Sequence, residues 1–239
     1  MADTVTRNIN NFFNTLDRKL EKDLRAHLKN VYGTLALCVL VAAAGAYVHC
    51  ATDLLRGNFL VVIGSFVTMI ALFAMSPTKE NEGTRFGLLM LFSACTGLST
   101  GPLLDIALMI EPSIIVTAFM GTCAIFACFT LAALYAPDRK YLYLGGMLMS
   151  ALSTLFWLGL ANLFFGSRLL FQVNLYIGLV VMFGFVLYDT QLIMEKRRRG
   201  DDDYIGHTIS LFIDFVDIFR RLLMILAQRE GQRDKKRKD

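Results

Sequence analysis

Charge placement constrains this 239-residue chain more than any other feature of its sequence. Of 44 charged residues, 10 lie in residues 1–30, 8 in 195–203 and 9 in 228–239, which leaves 17 for everything else. Six apolar runs, at 31–52, 57–78, 86–104, 112–137, 141–167 and 169–190, hold a single charged residue between them, Asp189. Crossing a hydrocarbon core takes about 20 residues of helix at about 1.5 Å each, so every run is long enough. A seventh apolar stretch, 205–227, contains Asp214, Asp217, Arg220 and Arg221. With 55% hydrophobic and 18% charged residues, the chain has more apolar surface than a soluble fold of this size can hide from water. The expected class is an all-α polytopic membrane protein. Loops between the runs are short, so neighbouring helices pack antiparallel in one bundle, with no second domain. The expected divisions are an arm at 1–30, a bundle at 31–227 and a basic tail at 228–239.

Within the arm, Ile9, Phe12, Phe13, Leu16, Leu20, Leu24 and Leu28 recur at helical spacing, with Arg18, Lys19, Lys22 and Arg25 between them. That pattern predicts an amphipathic helix lying on the membrane surface. Lys and Arg counts then predict orientation. The arm and every second loop after it hold fourteen basic residues, against two in the other loops. The rule that basic loops stay inside puts the N-terminus and the 195–203 loop in the cytosol. The tail, with Arg229, Arg233, Lys235, Lys236, Arg237 and Lys238, conflicts with a seventh crossing. A re-entrant last segment would keep it cytosolic, and this is the expected side. A charged helix crossing in the shelter of the bundle is the alternative.

Several function classes fall away. The basic runs flank membrane segments rather than forming a basic face on a folded domain, so nucleic acid is not an expected partner. The five cysteines, Cys38, Cys50, Cys95, Cys123 and Cys128, lie in apolar runs without a CxxC and are expected to be small buried residues. Three scattered histidines, with no HExxH or GxSxG, give no hydrolase constellation, and no enzyme activity or tightly bound cofactor is expected. Gly97 and Gly101 form a GxxxG, the spacing of close helix packing.

Ionisable residues inside membrane segments are costly and are therefore the candidates for function. Asp189 stands six residues before Glu195, about 9 Å inside the charged edge, near a helix C-terminus where the macrodipole disfavours it. Asp214 is the deepest charge if the last segment inserts. Its i±4 neighbours, Ser210 and Ile218, offer no counter-charge, so its partner must come from another helix, with Asp189 a candidate. Asp217 is expected to pair with Arg221 or Arg220, and His49 with Asp53. His207 lies seven residues before Asp214 and is a candidate for tuning its protonation. Two facing carboxylates in a low dielectric cannot both ionise cheaply and tend to share a proton, and they are also hard oxygen ligands for Ca²⁺.

Five stretches carry a family resemblance: HLKNVYGTLALCVLVAAAGAYVH (27–49), PSIIVTAFMGTCAIFACFTLAALYA (112–136), YLYLGGMLMSALS (141–153), NLYIGLVVMFGFVLYDTQLIMEK (174–196) and LFIDFVDIFRRLLMILA (211–227). The chain resembles the transmembrane Bax-inhibitor-motif family, most closely its endoplasmic-reticulum branch, with YDTQ and LFIDF the most specific parts. The resemblance implies a seven-helix bundle with the last helix central. It implies a pH-sensitive Ca²⁺ leak from the endoplasmic reticulum and suppression of Bax-driven cell death. The family's paired aspartates carry over to Asp189 and Asp214, which would meet Ca²⁺ transiently as the permeant ion. Bcl-2-family proteins and other endoplasmic-reticulum channels are the implied protein partners, besides membrane lipids. Bacterial relatives place an arginine latch at the end of the second helix. Here that place reads FAMSPTKE, leaving Lys79 or Arg85 as substitutes. An alternative role is a membrane regulator that binds such partners without conducting, for which the tail Lys235–Lys238 matters more than the aspartates. Oligomeric state stays open.

Overall fold

The computed structural model describes residues 22–52, 59–137 and 139–238. Among them are seven helices and no strand: α1 Lys22–Ala51, α2 Phe59–Ala74, α3 Glu82–Ile110, α4 Ser113–Tyr135, α5 Leu144–Phe165, α6 Arg168–Arg198 and α7 Tyr204–Lys238. Five of them, α1 and α3 to α6, are long and apolar enough to cross a membrane. At 16 residues α2 is shorter, and α7 carries the four internal charges. The chain is an all-α polytopic membrane protein.

The last helix is central. α7 packs against α1, α3, α4 and α6, whereas α2 leans chiefly on α3 and α5 chiefly on α6. Its buried face, with Ile209, Phe212, Phe215 and Ile218, forms part of one continuous core with Leu35, Leu89, Phe126 and Val186. Large apolar side chains such as Phe66, Ile70, Trp157 and Phe164 face outward. On a membrane protein that surface contacts lipid, so exposing it costs nothing.

Small residues set the closest approach. A Cβ on Gly97 would stand 2.0 Å from the Ala42 carbonyl oxygen, and one on Gly45 2.5 Å from that of Ala94. Only glycine lets the α1 and α3 backbones come this near. A turn later, the His49 ring occupies the space a Gly101 side chain would fill.

Two expectations change. Lys22 to Asn30, expected at the end of a separate surface helix, are the first turns of α1, and Leu24 and Leu28 are buried in the core. From Lys22 on, the apolar stripe of 8–29 runs directly into the crossing helix. The rest of that stripe lies outside the described residues. The last segment makes no re-entrant turn. α7 is unbroken over 35 residues, about 52 Å at 1.5 Å per residue. It starts beside the arm end of the bundle, where Tyr204 bonds Glu82. It ends beside the α3–α4 and α5–α6 turns, where it lines a cavity with Ile110, Gly166 and Arg168. The start of α1 and the tail thus lie at opposite ends of the bundle, against the expectation that they share a side. Lys235–Lys238 continue the helix, and their side chains lie outside the described residues.

Candidate functional site

Asp189 and Asp214 meet. α6 brings Asp189 to the middle of the bundle, two residues before the buried Gln191. α7 brings Asp214 there ten residues into its length, with 4% of its surface exposed. The two carboxyls lie within hydrogen-bonding reach of each other. Asp214 Oδ2 has no conventional donor among the described residues. A carboxylate buried this way needs a proton or a cation to satisfy it.

The pair opens into a cavity of about 620 Å³ between α2, α3, α6 and α7, with Ser65, Thr96, Ser99 and Ser210 on its walls. Asp217, Arg220 and Arg221 also face it. Arg221 bonds Asp217 at 2.6 Å, the expected i,i+4 pair, and donates to the Asn174 carbonyl at 2.9 Å. It reaches that carbonyl through a slot left by Gly178, where a Cβ would lie 2.0 Å from the guanidinium. Arg220 points to α3 instead. It donates to Thr100 Oγ1 at 2.7 and 2.9 Å, to Ser99 Oγ at 2.8 Å and to the Thr96 carbonyl at 3.0 Å. No group of three or more metal-ligating side chains occurs among the described residues. Two carboxylates supply at most about four of the six to eight oxygens that a tight Ca²⁺ site takes.

Other candidates sit elsewhere. His207 does not face the aspartates. Its Nδ1 lies 2.9 Å from His27 Nε2, joining the start of α7 to α1, with Asp201 3.5 Å from its other nitrogen. Seven residues place it about 10 Å along the axis from Asp214, too far for direct contact. His49 pairs with Asp105 of α3 at 3.2 Å, while Asp53 lies outside the described residues. Arg85 is no latch for the aspartates: it makes a two-bond clasp with Asp203, each bond 2.7 Å. Lys79 is exposed. The basic groups in the cavity come from α7 itself.

Sequence reasoning missed the clamp on Arg220 and the clasp on Asp203. A signal for the first was present, because Thr96, Ser99 and Thr100 recur at i, i+3 and i+4 and form a hydroxyl stripe on one face of α3. For the second there was none, since Arg85 and Asp203 are 118 residues apart.

Residues 24–231 match the model of a family described as the inhibitor of apoptosis-promoting Bax1. The chain belongs to the Bax-inhibitor family. Bax inhibitor 1 of Homo sapiens is 52% identical over 236 residues, covering 94% of this chain and 100% of that protein. Its Bos taurus counterpart is 53% identical over 235 residues, with 94% and 100% covered. Bax inhibitor 1 of Arabidopsis thaliana is 41% identical over 218 residues, covering 91% of this chain and 87% of its own. In this member of the Bax-inhibitor family, Asp189 of YDTQ and Phe212, Ile213 and Asp214 of LFIDF line one cavity.

Proposed function

We propose that this chain is a pH-sensitive Ca²⁺ leak pathway of the endoplasmic-reticulum membrane that restrains Bax-driven apoptosis. The observation that carries the reading is the meeting of Asp189 and Asp214 on one cavity within the bundle, beside Ser65, Thr96, Ser99 and Ser210. Protonation of the pair has two opposed effects: it removes negative charge that would replace water around the ion, and it changes how α6 and α7 are held together there. The second effect dominates in this reading, so acid favours the open state, the direction that the family resemblance implies. Ca²⁺ is cargo here, not a cofactor, and the chain does no catalysis. The names its relatives carry support restraint of Bax; Bcl-2-family proteins are the partners that the sequence resemblance implies.

The test is Ca²⁺ flux into proteoliposomes of the purified protein across about pH 5 to 8, the range in which a proton-sharing carboxyl pair can titrate. Wild type is compared with Asp189→Asn and Asp214→Asn. Flux that depends on pH in wild type and loses that dependence in both variants is expected. Wild-type flux no greater than that of empty liposomes would overturn the leak and favour a regulator that works by binding partners.

A further inference from the structure

Arg220 is a guanidinium inside the bundle whose partners are all neutral. Thr96, Ser99 and Thr100 of α3 take its hydrogen bonds, and no carboxylate lies within 4.0 Å of it among the described residues. The acid one turn before it on α7, Asp217, is already taken by Arg221. Such an arrangement is costly, because a buried charge is ordinarily matched by an opposite one. Asp189 and Asp214 line the same cavity as Arg220.

The charge balance then has a consequence. Asp217 and Arg221 neutralise each other, and the remaining walls contribute only hydroxyls and apolar groups. Asp189, Asp214 and Arg220 therefore fix the net charge. With both carboxylates ionised and a divalent cation between them, Arg220 leaves one positive charge unmatched in a low dielectric. Without Arg220 the same set is neutral. We infer that Arg220 is the selectivity-determining charge of this cavity: held by α3, it keeps a divalent cation from settling at Asp189 and Asp214. The inference rests on the cavity being a cation path, and it assigns the rejection of tight binding to one residue. Hydroxyl acceptors suit this role. They fix the guanidinium in place without cancelling its field, as a carboxylate partner would.

The experiment measures Ca²⁺ affinity by titration calorimetry on detergent-purified protein, beside flux in proteoliposomes. Arg220→Gln removes the charge, Arg220→Lys keeps it, and Arg220→Gln with Asp214→Asn restores the net charge of the wild-type cavity. Arg220→Gln is expected to bind Ca²⁺ at least about tenfold more tightly than wild type, while Arg220→Lys stays within about twofold. The double variant should lose the gain. Equal affinity in folded Arg220→Gln and wild type would overturn the inference, as would the same gain in Arg220→Lys, which would make hydrogen-bond geometry the cause. If Arg220→Gln alone does not fold, the double variant should recover the fold, and its failure to do so would equally overturn a role in charge balance. Raised affinity with no flux from any variant would sink the leak and leave the role of Arg220 standing. Flux in wild type with unchanged affinity in Arg220→Gln would do the reverse.

Discussion

Gly97 matters for the side chain it lacks. The atom a Cβ would meet is the Ala42 carbonyl, which is backbone and cannot swing aside, so α1 and α3 would have to move apart. Gly97→Ala is expected to destabilise the bundle by about 1–3 kcal/mol, the usual cost of overpacking. Gly87, in the same helix, has nothing within 4 Å of its Cβ position, and Gly87→Ala should hold or raise stability through helix propensity. Thermal unfolding in detergent separates the two, and equal midpoints would contradict the close contact. At this scale the GxxxG spacing announced the glycines, and the cost of a lone membrane aspartate announced Asp189 and Asp214. Their pairing was a candidate from the missing i±4 counter-charge and from the family resemblance, and periodicity alone did not fix it. Helical periodicity tells which residues share a face and says nothing of which face another helix presents.

The first turn of α7 shows how an element is tied down from outside itself. Asp203 accepts from the Gly206 backbone N–H at 3.0 Å, capping the helix, and accepts both bonds from Arg85. Burial alone would raise the Asp203 carboxyl, but the Arg85 guanidinium and the Gly206 N–H together hold it below the ordinary carboxylate range. A carboxyl lowered in the folded state adds stability that is fully present at neutral pH. That stability is lost as pH falls below about 4 and through the folded value. Unfolding midpoints followed from neutral pH into acid should therefore fall less steeply in Asp203→Asn than in wild type. At neutral pH the variant should be on the order of 3 kcal/mol less stable, because the buried Arg85 loses its partner. Matching pH slopes would show that the clasp is not linked to protonation. In sequence, the charge run that ends at Asp203 precedes the apolar stretch expected at 205–227. The clasp itself links two loops' worth of charge that counted, in sequence, only toward orientation.

Across the whole molecule, the length of α7 decides the relation between the chain's two ends. A hydrocarbon core is about 30 Å thick, so a straight helix of about 52 Å both crosses it and projects beyond it. Single cysteines at Asp202 and Arg229, in a chain with its five native cysteines replaced, should lie on opposite sides of the membrane. A membrane-impermeant maleimide should label one in sealed microsomes and the other only after permeabilisation. Labelling of both from one side would show that α7 does not run through the bundle as a straight helix. Counts of Lys and Arg favour one side for both ends, whereas α7, packed on four neighbours, ends at the opposite end of the bundle from the start of α1; the labelling decides between the two.

The sequence by itself determined that this chain is a helical membrane protein, and it marked which ionisable residues fall within apolar segments. Those conclusions depend on transfer costs and on periodicity, which are local properties read from a window of residues. Only the tertiary structure decided that Asp189 faces Asp214, that Arg220 is held by α3, that His207 belongs to His27, and that α7 runs unbroken through the centre. Each of these is a contact between elements far apart in the chain. In a bundle whose helices are apolar on nearly every side, the composition of one helix does not select its neighbour. Close packing at glycine and the satisfaction of buried polar groups do.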